Sequence, residues 1–180
     1  MTTARKRLRK PPMVEQHREG AFTALTWRFP PRAYQSPEDP EGPAICSRCH
    51  AYLETDHWRY GERRYLELKE LPDVHEMLCP GCTRVEKRMY EGEIVLRHDW
   101  SAVAKDEVLR RIHNEEAQAR VNNPTARVAR IVDRGDELYL LTTTRFLARR
   151  IGLELKKAYK GELVLQPLPR ERFIRVRWER

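Results

Sequence analysis

Long apolar runs are absent from this sequence of 180 residues. No stretch approaches the roughly 20 apolar residues that a membrane-spanning helix requires. The first ten residues, MTTARKRLRK, are basic, but no apolar segment follows them, so we expect no secretory signal there. Charged residues make up 34% of the chain, which is typical of a soluble protein. We therefore expect no membrane contact and a cytoplasmic location, where thiols stay reduced.

Recognisable catalytic motifs are also absent. The sequence has no Gly-rich phosphate loop, no G-x-S-x-G and no H-E-x-x-H. The adjacent carboxylates Glu115 and Glu116 lie in a predicted helix and are best interpreted as solvated side chains. We therefore predict no catalytic residues, no small-molecule substrate and no enzymatic activity.

The basic residues are unevenly distributed along the chain, whose formal net charge is +8. Residues 1–45 contain 8 basic and 5 acidic side chains, residues 46–90 contain 8 of each, and residues 91–180 contain 19 basic and 14 acidic side chains. A basic excess favours a polyanionic partner such as nucleic acid. A well-solvated surface accounts for the same charge equally well, so charge alone leaves both interpretations open.

Prolines punctuate residues 1–45, and apolar residues there show no period, so we predict a weakly ordered arm. A basic arm of this kind either follows a phosphate backbone or only aids solubility. Its candidate nucleic-acid contacts are Arg5, Lys6, Arg7, Arg9 and Lys10.

Four cysteines form two C-x-x-C pairs, Cys46/Cys49 and Cys79/Cys82, with 29 residues between the pairs. Each pair can form a tight turn that directs two thiolates at one point, and four thiolates suit a tetrahedral zinc ion. No position would remain for water, so the predicted Zn²⁺ is structural. We predict a zinc-ribbon module over residues 46–90, with a short hairpin around Gly61 between the pairs.

Three roles besides zinc binding remain open for the cysteines. The segment from Cys46 to His50 matches the C-x-x-C-H haem attachment pattern, which would leave Cys79 and Cys82 without a role. Cys79 and Cys82 match a redox dithiol, although the residues before them do not resemble a buried strand. Four cysteines can also hold an iron–sulfur cluster. The nearby histidines (His50, His57 and His75) are expected at the surface or beside the site.

Residues 91–180 alternate between strand-like and helix-like patterns. We predict strands at 93–98, 126–132, 137–143, 162–166 and 172–178, and helices at 101–121 and 145–160. The sequence Asp133-Arg134-Gly135-Asp136 is a strong hairpin signal between two of the strands. The predicted fold is therefore α+β, with the zinc-ribbon module followed by a ferredoxin-like βαββαβ domain and an extra C-terminal strand.

The helix at 145–160 separates basic from apolar side chains. At 100° per residue, its cations occupy an arc of roughly 140°, and apolar residues fill most of the other side. These cations are Arg145, Arg149, Arg150, Lys156, Lys157 and Lys160. Phe146 lies on the basic side, and cations beside an exposed aromatic ring are typical of RNA binding. The alternative is that Phe146, with Leu153 beside it, is covered by the N-terminal segment or by the zinc module.

The last predicted strand alternates Arg175 and Arg177 with apolar residues. Its cationic face would either contact phosphates or protect an exposed sheet edge. We slightly favour edge protection.

The segments LCPGCTRVEKR, TTTRFLARRIGLELKKAYKGEL and RVRW resemble a bacterial family described as NMD proteins affecting ribosome stability and mRNA decay. That family is named for its similarity to an NMD adaptor that binds the large ribosomal subunit through a zinc region. The resemblance covers roughly residues 45–180 and implies zinc at the four cysteines and association with ribosomes or RNA. His50 replaces a usual glycine. Phe146 replaces an expected histidine. A phenylalanine can still stack on a base, but it cannot replace a histidine that takes part in a reaction.

These observations predict a zinc-containing RNA-binding protein, with ribosomal RNA or the ribosome as its partner. It would act in ribosome stability or RNA turnover without catalysis of its own. One alternative is a protein-interaction adaptor whose zinc module docks on a partner. A less favoured alternative is a thiol-redox protein that uses Cys79 and Cys82.

Overall fold

A computed structural model describes residues 40–98, 100 and 102–180 of the chain. The basic arm at Arg5–Lys10 and most of the segment 1–45 lie outside these residues, as does Ser101, the first residue of the predicted helix 101–121. Within them the fold is α+β, with two sheets and four helices.

The metal module, residues 44–90, contains a small sheet with strand order β3-β2-β1-β4. Its strands are β1 (Ala44–Cys46), β2 (Ala51–Glu54), β3 (His57–Tyr60) and β4 (His75–Met77). Helix α1 (Glu62–Lys69) follows β3, and helix α2 (Pro80–Glu86) follows β4. Strand β1 pairs antiparallel with β2 and parallel with β4. Because β1 ends at Cys46 and β4 ends shortly before Cys79, this pairing brings the two cysteine pairs close together.

The hairpin of this module differs from the one predicted around Gly61. Strands β2 and β3 turn at Thr55 and Asp56, which have φ angles of 47° and 62°. Two successive residues with positive φ match the right-handed twist of the flanking strands. Gly61 instead precedes α1, and the run Tyr65–Leu68, where a hairpin around Gly61 would have its second strand, is helical.

The sheet module, residues 91–180, contains five strands in the order β6-β7-β5-β9-β8. Its elements are β5 (Gly92–Arg97), α3 (Ala102–Asn122), β6 (Val128–Asp133), β7 (Glu137–Thr142), α4 (Arg145–Tyr159), β8 (Glu162–Leu168), a 3-10 turn (Pro169–Glu171) and β9 (Phe173–Glu179). The predicted succession of elements is present, but the ferredoxin-like arrangement is not confirmed, because the extra strand β9, and not β8, pairs with β5. Strand β9 lies between β5 and β8, parallel to β5 and antiparallel to β8.

Helices α3 and α4 pack on one face of the five-stranded sheet. The buried residues of this core include Ile94, Leu96, Ile112, Leu138, Leu140, Leu147, Ile151, Leu155, Val176 and Trp178. Helix α4 packs closely on β9 at Gly152. A Cβ atom on this glycine would be only 2.5 Å from a methyl carbon of Val176. The other sheet face carries a second buried cluster of Tyr90, Val95, Tyr139 and Leu141.

The position of β9 corrects the prediction for its arginines. Because β9 is an interior strand, it does not protect an exposed edge. Arg175 is only 4% exposed and lies in register with the buried Glu93 of β5, so it does not form a phosphate-binding surface. Arg177 is exposed. Both point away from α4, since Val176 and Trp178 pack in the core beneath that helix.

Candidate metal centre and cationic helix

The four cysteines converge on one point in the metal module. Cys46 ends β1, Cys49 lies in the turn before β2, Cys79 caps α2 and Cys82 lies in the first turn of α2. Their sulfur atoms all lie within 4.8 Å of one another, and those of Cys49 and Cys79 are 3.7 Å apart. All four are free cysteines. The pairs that the sequence predicted to share a site therefore do so, and the set is suited to one metal ion.

Backbone amides support the sulfur atoms. The N–H of Cys79 donates to Sγ of Cys46 at 3.3 Å, and the N–H of Cys82 donates to Sγ of Cys79 at 3.4 Å. Such bonds favour the thiolate, which is the form that binds metal. Cys46, Cys79 and Cys82 are buried, and Cys49 is partly exposed. The site is thus shielded from solvent on most sides.

The clustered thiols strongly change one another's protonation. Hydrogen bonds from Cys49, Cys79 and Cys82 lower the pKa of Cys46 far below its usual range. The hydrogen bond with Cys46 raises the pKa of Cys49, but those with Cys79 and Cys82 outweigh it and lower that pKa to about 6. The hydrogen bonds with Cys46 and Cys49 raise the pKa of Cys79 and of Cys82. Without a cation, the cluster therefore favours a mixture of thiolates and protonated thiols. A bound metal ion would favour the thiolate form of all four cysteines.

This arrangement bears on the roles that compete with zinc binding. A redox dithiol uses two cysteines that react with each other, whereas Cys79 and Cys82 here lie in one cluster with Cys46 and Cys49. Haem attachment would require Cys46 and Cys49 to point outward, but both point into the cluster. The ring of His50 instead lies 5.0 Å from that of Tyr65. The donor set alone does not separate zinc from iron, since both accept four thiolates.

Arg127, a residue that the sequence motifs do not single out, reaches the cluster from the sheet module. Its guanidinium donates to Sγ of Cys49 at 3.5 Å and to Sγ of Cys79 at 3.7 Å. Burial alone would lower the pKa of Arg127, but the charges of Cys79 and Cys49 outweigh this effect and raise it. No local motif marks Arg127, because its contact with the cysteines exists only once the two modules are packed together.

The predicted division of α4 into two sides is present in the structure. Its buried side consists of Leu147, Ala148, Ile151, Gly152 and Leu155. The hydroxyl of Thr144 caps the helix by accepting a hydrogen bond from the N–H of Leu147 at 3.3 Å. The helical period also places Ala158 on the apolar side, beside Leu147, but its side chain is exposed.

The solvent side of α4 forms a cationic surface, hereafter the α4 surface. It consists of Arg145, Phe146, Arg149, Leu153, Lys156, Lys157 and Lys160. Phe146 is 66% exposed and Leu153 is 41% exposed, so the metal module does not cover Phe146 among the described residues. The N-terminal segment, the other candidate cover, lies largely outside the described residues. The guanidinium of Arg145 lies 5.1 Å from the ring centre of Phe146, within the range of a cation–π contact.

Arg150 differs from the other cations of this helix. It donates to the carboxylate of Glu115 and to the side-chain oxygen of Gln118, both at 2.6 Å. Arg150 therefore joins α4 to α3, and Glu115, which was interpreted from the sequence as solvated, is buried. The remaining candidate contacts are not gathered here: Arg177 lies on the opposite sheet face, and Arg5–Lys10 lie outside the described residues.

Among the described residues, no helix is both long and apolar enough to cross a membrane. Comparison of the chain with protein-family models, with curated proteins and with solved structures found no match.

Proposed function

We propose that this chain is a zinc-containing RNA-binding protein, associated with ribosomes, in which the metal is structural and the α4 surface binds RNA. The observation that carries RNA binding is the exposed ring of Phe146 among solvent-facing cations. The observation that carries the metal is the convergence of four sulfur atoms within 4.8 Å.

Zinc fits the cysteine cluster through its donor set. Four thiolates complete a tetrahedral zinc shell and leave no position for a reacting water. Cys46, Cys49, Cys79 and Cys82 would hold the ion, and its contribution would be to folding rather than catalysis. Reduced thiols require a reducing compartment, so the cytoplasm is the proposed location.

The α4 surface offers both contacts that unpaired RNA requires. Its cations form a row of about 22 Å, since each helical residue rises 1.5 Å, and such a row can follow several phosphates. Phe146 offers a ring on which a base can stack, and Arg145 already lies against that ring. Stacking of a base on an aromatic side chain contributes about 1–3 kcal/mol. Readout of a duplex would not require this exposed ring.

The segments that resemble the NMD family favour a ribosomal partner. Two of them, LCPGCTRVEKR and TTTRFLARRIGLELKKAYKGEL, contain one cysteine pair and the whole of α4. The proposal thus places the partner at the surface where the resemblance is most extensive.

Replacing Arg149, Lys156 and Lys160 with glutamate should abolish RNA binding without unfolding the protein, because all three are exposed. Binding is measured by ribosome co-sedimentation and by titration of single-stranded RNA over a salt series. Wild-type affinity should fall steeply with salt. In a plot of the logarithm of the binding constant against the logarithm of the salt concentration, each phosphate contact should contribute a slope of about −0.7. The control replaces the exposed Arg59, Lys69 and Arg170, which changes the net charge equally at other sites. Equal loss in both variants would show that binding follows total charge and would overturn the role of α4.

Phe146→Ala separates RNA binding from the adaptor alternative. We expect this variant to weaken RNA binding by about 1–3 kcal/mol and to leave thermal stability unchanged, since the ring is largely exposed. The matched control is Leu153→Ala, which removes an exposed apolar side chain from the same face. RNA affinity should be insensitive to Leu153→Ala. If both variants bind RNA normally but lose a protein partner, the surface is an adaptor site.

A further inference from the structure

Arg127 is a buried cation held between the two modules of the chain. It is 3% exposed, and one of its nitrogen atoms approaches two of the four cysteine sulfurs. We propose that Arg127 neutralises part of the charge of the metal–thiolate centre and thereby couples metal binding to docking of the two modules. This inference rests on the proposed metal and not on RNA binding.

The charge of the centre gives Arg127 its role. Four thiolates around one divalent cation leave two net negative charges, and most of the sulfur surface here is buried. Buried charge is costly unless it is paired and hydrogen-bonded. The backbone N–H groups of Cys79 and Cys82 supply dipoles to the sulfurs, whereas Arg127 supplies a full positive charge. The converse also holds: without thiolates, Arg127 would be a buried cation facing neutral thiols.

The two modules touch at the second cysteine pair itself. A Cβ atom on Gly81, between Cys79 and Cys82, would lie 2.3 Å from the carbonyl oxygen of Pro124 and 3.1 Å from Cζ of Arg127. Only a glycine leaves room for so close an approach. Arg127 therefore inserts beside the metal ligands because the loop before β6 packs directly on their turn.

The sheet module fixes the backbone of Arg127. Its N–H donates to the hydroxyl of Thr143 at 2.8 Å, and the N–H of Thr143 donates to the carbonyl of Arg127 at 3.0 Å. Arg84 of α2 in turn donates to the carbonyl of Thr143 at 2.8 Å. The guanidinium of Arg127 thus links the sheet module to the cysteines. Arg84 makes a second link, from α2 of the metal module to the sheet module.

The test compares Arg127→Met, Arg127→Lys and the control Arg130→Met, which removes an exposed arginine from the same strand region. Apparent Zn²⁺ affinity is measured by competition with a chromophoric chelator. We expect Arg127→Met to lose about 10- to 100-fold, the usual effect of removing a group that supports metal ligands. Arg127→Lys keeps the charge and should recover much of this loss, and Arg130→Met should bind as wild type. Equal affinity of a folded Arg127→Met and wild type would overturn the proposal.

Hydrogen exchange of the wild-type protein provides a second measurement that needs no variant. Removal of Zn²⁺ should expose the amides of residues 80–86 and of 126–128 together, because docking depends on the metal. If residues 126–128 keep their protection while the metal module loses its own, the coupling is absent and the proposal fails. A wild-type protein that binds no Zn²⁺ at all would instead refute the metal assignment, which native mass spectrometry tests separately.

Discussion

Removal of the metal should unfold the metal module while the five-stranded sheet remains folded. The core of this module is small. Around the site, three cysteines and Ala51 are buried, and the other buried apolar residues of the module are Ala44, Ile45, Leu53, Leu68, Met89 and Tyr90. Its strands contain only three or four residues. Structural zinc contributes about 10–16 kcal/mol of apparent binding free energy, which is comparable to the whole stability of a typical domain, about 5–15 kcal/mol.

The measurement is amide hydrogen exchange and circular dichroism before and after treatment with a strong chelator. Protection should be lost across β1–β4 and retained at the centre of the other sheet, where Ile94 and Leu140 are fully buried. Cys82→Ser should reproduce the chelator effect without chelator, because it removes one of the four ligands.

Ser47→Ala is the matched control for Cys82→Ser. Ser47 lies between two ligands, but its side chain is exposed, so its loss should leave the metal module folded. Full protection of β1–β4 in metal-free protein would contradict the prediction and would show that packing alone holds the module.

Local patterns in the sequence were sufficient where the determining interaction is also local. The cysteine spacing predicted which four sulfurs converge, because each turn is built from four consecutive residues. The period of α4 predicted its buried side, and Gly135 has the positive φ of 86° that the predicted hairpin requires. In each case neighbouring residues alone decide the geometry.

Features that depend on distant parts of the chain were not predictable in this way. Alternation of apolar residues predicts a strand at 172–178 but does not show which strands it pairs with. The position of β9 between β5 and β8 was therefore not predicted. The burial of Arg175 follows from that position. The turn at Thr55 and Asp56 carries no sequence signal of the usual kind, because neither residue is a glycine. Arg127 meets the cysteines only through packing of the two modules.

Gly81→Ala should destabilise the contact between the modules, although simple helix propensity predicts the opposite. Gly81 lies in the first turn of α2, where alanine would normally stabilise a helix by about 1 kcal/mol. Here the new methyl group would lie 2.3 Å from the carbonyl oxygen of Pro124, which is a backbone atom and cannot simply rotate away. Overpacking of this kind typically costs about 1–3 kcal/mol.

Denaturant unfolding and Zn²⁺ competition measure the outcome of Gly81→Ala. We expect a lower free energy of unfolding and weaker Zn²⁺ binding, because the displaced loop would draw Arg127 away from the sulfurs. Gly61→Ala is the matched control, since its nearest neighbour would be a ring carbon of Tyr52 at 3.6 Å, an ordinary contact. That variant should be near neutral. If Gly81→Ala proves as stable and as zinc-avid as Gly61→Ala, the modules do not press against each other at the cysteine turn, and the route by which Arg127 reaches the metal centre is wrong.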